Sequence, residues 1–157
     1  MIKKLCLAGA ILATIATVAI PQTKNFKPVT QQMLLNPSPD DWLMYSRTYD
    51  AQRFSPLKQI NRQNVGQLKE VFKKELGNGP HESIPIVYRG VMYLLLPGSS
   101  IQAIDASTGA LIWEHRRPSG AGRAKTLAIY DDMVYFTSPD GFIVALDART
   151  GEVRWET

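Results

Sequence analysis

The chain has 157 residues, 45% hydrophobic and 20% charged, with a formal net charge of +4. That length suits one ordinary domain, and the composition is that of a globular chain rather than a disordered one. The basic excess is small and evenly spread, which argues against nucleic acid as a partner.

Residues 1–19 read as a secretory signal peptide. Lys3 and Lys4 form a positive start, Leu5 to Val18 is an uncharged apolar stretch, and Thr17-Val18-Ala19 offers a cleavage site after Ala19. The alternative is an uncleaved membrane anchor, but the apolar run from Leu5 to Ile20 is only 16 residues, rich in Ala and Thr, and short for a span. Cleavage removes Lys3 and Lys4 and lowers the excess from +4 to +2. It also removes Cys6, the only cysteine, which leaves no disulfide and no thiolate metal site. Both features suit a bacterial protein exported to the periplasm, either free there or associated with the inner membrane.

Residues 20–39 are a flexible leader dotted with Pro21, Pro28, Pro37 and Pro39, for which little regular structure is expected. Trp42, Tyr45, Tyr49, Phe54 and Leu57 give residues 40–60 enough apolar area to predict docking on a core. Asn61 is placed to cap a short helix running to Leu68. Residues 69–76 predict an exposed strand that ends at Gly77-Asn78-Gly79-Pro80.

From there a repeat takes over: residues 87–114 and 129–156 match with an offset of 42 residues and no gap. The spacing predicts four strands in each copy, at 83–88, 91–96, 101–105 and 111–116, then at 125–130, 133–138, 142–147 and 152–156. Arg89-Gly90 and Asp131-Asp132 suit two-residue hairpins. Pro97-Gly98 and Pro139-Asp140-Gly141 suit the turns that follow. Almost no helix is expected beyond residue 70.

The densest match is Ala-x-Asp-x-x-Thr-Gly-x-x-x-Trp, at residues 103–113 and 145–155. Each part has a structural task. The Asp carboxylate can accept from turn N–H groups. Gly supplies positive φ. The Thr hydroxyl can brace the turn, and the Trp offers a broad packing surface with an N–H free to find a carbonyl. These residues are therefore assigned to structure, not catalysis. A weaker echo upstream, residues 64–72, puts Phe72 where a preceding Trp would fall. A period of this size built from short strands predicts an all-β fold, a partial β-propeller of about two four-stranded antiparallel blades. One such blade cannot bury both its faces alone.

The repeated motif resembles the tryptophan-docking motif of the pyrroloquinoline quinone (PQQ) dehydrogenases. Other segments are similar to the opening of that family's large subunit, in order: Trp42-Leu43-Met44-Tyr45, Arg53-Phe54-Ser55-Pro56-Leu57, Gln59-Ile60, Asn64-Val65, and Glu82-Ser83-Ile84-Pro85 before Gly90-Val91-Met92-Tyr93. The resemblance covers about residues 40–157. It implies an eight-bladed propeller that holds PQQ with calcium or a lanthanide, an alcohol as substrate, and a cytochrome c or membrane quinone as electron acceptor.

On the same resemblance, Glu82 stands where a glutamate bonds PQQ, and Arg123 stands where an arginine pairs with the anionic cofactor. Lys125 and Thr126 are weaker neighbours, while His81 and His115 have no metal-ligand company. Pro118 and Ser119 replace a pair of adjacent cysteines found in many members. The catalytic base and metal ligands of the family fall in later blades, so none is assigned here. Eight such repeats need about 336 residues. The expectation is therefore the amino-terminal portion of a dehydrogenase, inactive alone, with the remaining blades on another chain. The alternatives are a non-catalytic propeller scaffold for protein interaction in the cell envelope, or a truncated gene product.

Overall fold

Short apolar runs rich in β-favouring residues, bounded by turns, make the repeat into two sheets. The computed structural model describes residues 25–79, 81–117 and 126–157. The expected signal peptide, Cys6, Pro118, Ser119, Arg123 and Lys125 lie outside the described residues. The first sheet comprises β1 (Ile86–Tyr88), β2 (Val91–Leu96), β3 (Ser100–Asp105) and β4 (Leu111–Arg116), in that order and all antiparallel. The second comprises β5 (Leu127–Tyr130), β6 (Met133–Thr137), β7 (Ile143–Asp147) and β8 (Val153–Glu156), with the same order and sense. Arg89 and Gly90 both take positive φ, as a tight two-residue hairpin requires.

The register explains the small residue in the motif. Ala103 lies between Tyr93 and Trp113, and Ala145 lies between Tyr135 and Trp155. With only a methyl between them, the rings in each pair approach to 5.9 Å between centroids. Both sheets shift register directly after that Ala. The turns repeat as closely. Asp105 accepts from the N–H groups of Ser107 (2.8 Å) and Thr108 (3.0 Å), and Asp147 accepts from that of Arg149 (2.8 Å). Thr108 and Thr150 each accept from the N–H two residues on, at 3.3 Å. The Ser107 hydroxyl first, and then these backbone bonds, hold the Asp105 carboxyl below its ordinary pKa; Arg149 does so for Asp147.

The sheets pack face to face through one core. Ile86, Tyr88, Tyr93, Ile101 and Trp113 come from the first sheet, and Leu127, Ile129, Val134, Phe136, Val144 and Leu146 from the second. Trp113 sits directly against Gly151, where a Cβ would lie 2.5 Å from a ring carbon. Its indole N–H donates to the Ala148 carbonyl at 3.1 Å, and the Tyr93 hydroxyl donates to the same oxygen at 3.1 Å. The upstream echo does the same one step earlier: the Phe72 ring lies against Gly109, where a Cβ would again meet it at 2.5 Å. Leu76 then packs with Leu94, Leu96 and Ile104 on the far face of the first sheet.

Four expectations outside the repeat need correction. Residues 69–76 alternate in exposure as a strand would, yet they form no ladder, because no neighbouring strand among the described residues offers them hydrogen bonds. The leader holds a short helix, α1 (Gln31–Leu35), started by Thr30, whose hydroxyl accepts from the Met33 N–H at 3.3 Å. The helix expected from Asn61 to Leu68 shrinks to a turn and a 3-10 segment at Val65–Gln67. Asn61 does cap that turn, accepting from the N–H groups of Gln63 and Asn64. In the aromatic segment Leu43 is buried and Trp42 bridges to Val87, but Tyr45, Tyr49 and Phe54 stay exposed, Tyr45 beneath the Arg53 guanidinium, which lies 5.4 Å from the ring centroid.

Gly151→Ala should cost about 2–3 kcal/mol in urea unfolding, because it adds a ring clash to positive-φ strain. Gly141→Ala, at φ 91° with nothing within 4 Å, should cost about 1 kcal/mol from the backbone alone. Equal costs would mean that the Trp113 contact contributes nothing. His115, half-buried against Phe136, makes a second prediction. Burial first, and Arg117 second, hold its pKa below the ordinary 6.5, while the Gly151 backbone and Glu156 pull less strongly the other way. The folded form keeps His115 neutral, so its contribution is full above 6.5 and declines as pH falls below that value. The melting temperature should begin to drop as pH falls below 6.5, above the carboxylate range, and His115→Gln should flatten that drop.

Candidate functional site

Strand direction decides which residues share an end of the sheets. Leu96 pairs with Ser100 and Ser100 with Arg116, so the β2–β3 turn and the end of β4 lie together. Residues 83–85 run up to the start of β1 at that same end, where the Ser83 hydroxyl donates to the Leu95 carbonyl at 2.7 Å. In the second sheet Leu127 pairs with Phe136 and Thr137 with Ile143, and Ile143 and Thr157 exchange two backbone bonds. The Asp-x-x-Thr-Gly turns and the β1–β2 and β5–β6 hairpins occupy the opposite end.

Glu82 therefore stands at the β2–β3 end, exposed, just before β1. Ser83 ties the residue beside it to β2. Arg116 and Leu127, which bracket the segment containing Arg123, end and begin their strands at the same end. Thr126 is exposed and lines a shallow apolar hollow of about 130 Å³ with Leu127, Tyr135, Phe136 and Ile143. His81 lies near Glu82 in sequence, with a ring nitrogen 3.2 Å from the Gly77 carbonyl. Among the described residues, no group of three or more His, Cys, Asp or Glu side chains could hold a metal ion.

A larger cleft of about 700 Å³ lies at the opposite end, between the amino-terminal segment and the β1–β2 hairpin. Two hydrogen bonds tie its walls: the Arg89 N–H donates to Asp41 at 2.9 Å, and the Tyr88 hydroxyl donates to the Lys27 carbonyl at 2.9 Å. It is remote from the strand ends that carry Glu82. One residue at the candidate end escaped the sequence reading. Arg117 pairs with Asp140 at 3.1 Å and with Glu156, and its guanidinium lies 4.8 Å from the centroid of Phe142. It follows the matched repeat, so no in-register partner marks it.

Residues 42–127 match the family model described as "Glucose/ethanol/alcohol dehydrogenase, beta-propeller domain". The chain is 39% identical over 112 residues to the dehydrogenase subunit of a quinone alcohol dehydrogenase from Acetobacter aceti, covering 69% of this chain and 15% of that protein. It superposes on the solved quinohemoprotein alcohol dehydrogenase ADHIIG from Pseudomonas putida HK5 with a TM-score of 0.76 and 37% identity, covering 84% of this chain and 21% of that one. A europium-containing methanol dehydrogenase gives a TM-score of 0.72 at 28% identity, with 78% and 24% covered. The chain thus spans about a seventh to a quarter of the length of these relatives.

Proposed function

Because the chain belongs to the glucose/ethanol/alcohol dehydrogenase β-propeller family, we propose that it forms the amino-terminal portion of a PQQ-dependent dehydrogenase. In this reading the enzyme acts in the periplasm, oxidises an alcohol and passes electrons to a cytochrome c or a membrane quinone. The family match over residues 42–127 carries the reading. The placement of Glu82 at the same end as Arg116 and Leu127 supports it.

The residues suit the group chemically. PQQ carries three carboxylates, and the Arg123 guanidinium can grip one through two parallel hydrogen bonds. Glu82 is an acceptor for the polar edge of the ring system, and the Ser83–Leu95 bond steadies its backbone. Bound PQQ supplies the two-electron acceptor. Calcium or a lanthanide finds no ligand cluster among the described residues, so no step is assigned to it. The 157 residues alone are proposed to be inactive, because the face of the second sheet around Tyr130, Ile143 and Trp155 is left exposed and two blades cannot close a ring.

Titrating PQQ into the chain and following its fluorescence tests this reading. Quenching is expected, and Arg123→Ala or Glu82→Gln should weaken binding by about tenfold. With calcium and an alcohol, dye-linked oxidation should stay at background. No quenching, with both variants indistinguishable from the parent, would support a non-catalytic scaffold instead. Turnover at the rate of a full-length relative would overturn the proposed inactivity.

A further inference from the structure

The chain contains two docking boundaries, and they are not chemically alike. At each one an aromatic ring lies against a glycine: Phe72 on Gly109, and Trp113 on Gly151. Four residues beyond each aromatic, the two boundaries diverge. After Phe72 comes Leu76, packed on Leu94, Leu96 and Ile104. After Trp113 comes Arg117, which pairs with Asp140 and Glu156 and stacks over Phe142.

The receiving surfaces differ to match. In the first sheet, the places that correspond to Asp140 and Phe142 hold Gly98 and Ser100. Glu114, which corresponds to Glu156, is already engaged by Ser100 (2.8 Å), Gln102 (3.3 Å) and Arg116 (3.0 Å). Arg117 would find no Asp140 or Phe142 on the first sheet. The Arg117 side chain is only 14% exposed, so its pairing is less screened by salt than a free surface pair. It also bridges three elements at once: the end of β4, the β6–β7 turn and β8.

We propose that Arg117 is a positioning residue. Its charged contact with Asp140 and Glu156 holds the second sheet against the first at the end that carries Glu82, and it makes β4 dock only on the second sheet. The pairing goes beyond the proposed function, and only its effect on cofactor affinity rests on that reading.

The Trp113 indole N–H, bonded across the boundary to Ala148, reports opening between the sheets, whereas the β2–β3 ladder amides report the first sheet alone. Arg117→Leu should speed hydrogen exchange of that indole by about fivefold while the ladder amides keep their rates. Arg117→Glu combined with Asp140→Arg, which places a cation between two carboxylates, should restore slow exchange. An unchanged indole, or an indole and ladder that accelerate together, overturns the proposal, as does a charge exchange that fails to restore protection. If Arg117→Leu does not fold, Arg117→Lys is read the same way, with a smaller change of about twofold because the forked pairing is lost. PQQ affinity should fall by about fivefold in Arg117→Leu with Arg123 intact. If the parent chain binds no PQQ, the cofactor reading fails while indole exchange still decides the role of Arg117.

Discussion

A large aromatic ring placed against a glycine of the next turn organises this chain. Trp113 can reach Gly151 only because that residue has no Cβ, and Gly151 can close its turn at φ 75° for the same reason. One missing side chain thus meets a backbone demand and a packing demand together. Burying a ring of this kind contributes about 2–3 kcal/mol, and its N–H must find an acceptor, which the Ala148 carbonyl provides. The rest of the turn serves that contact. Asp147 and Thr150 hold the loop in the shape that presents Gly151 and the Ala148 oxygen, and Ala103 leaves room for Trp113 beside it in its own sheet.

The same contact explains how the faces of the sheets are shared out. Each sheet has two apolar faces, as repeats stacked in a row require. The first sheet has both covered, one by the second sheet and the other by residues 72–76. Among the described residues, the second sheet is covered on one side only. Its other side shows Tyr130, Ile143 and Trp155 at 42–48% exposure, in the places that correspond to Tyr88, Ile101 and Trp113 in the first sheet. What is core in one copy is surface in the next, although the residue types agree. Burial here is set by position in the row rather than by local sequence.

Much of the fold was legible because turn residues and a motif repeated at a 42-residue offset can be read directly along the chain. All eight strands formed within three residues of their expected bounds, and the Asp, Thr and Gly residues of both turns and Trp113 do the structural work assigned to them, while Trp155 stays exposed. Segments outside the repeat were harder to read. Residues 69–76 have the composition of a strand, but a strand needs a partner, and none is present among the described residues. Tyr45, Tyr49 and Phe54 have the composition of a core, but composition does not supply the surface that would cover them. Of the candidate site, Glu82 was identified by resemblance alone, since an exposed glutamate before a strand carries no signal of its own.

The sequence by itself determined the blades: the repeated motif, the turn chemistry and the size of the repeat point to two four-stranded antiparallel sheets. Tertiary structure decided which residues share an end. Strand direction brings Glu82, Arg116, Arg117 and Leu127 together although they are spread over 46 residues of chain. It also showed that Leu76 and Arg117, each four residues past its docked aromatic, make unlike contacts at successive boundaries. Periodicity records what each copy has in common. The differences between the boundaries arise only where two copies touch, and so they become visible only in three dimensions.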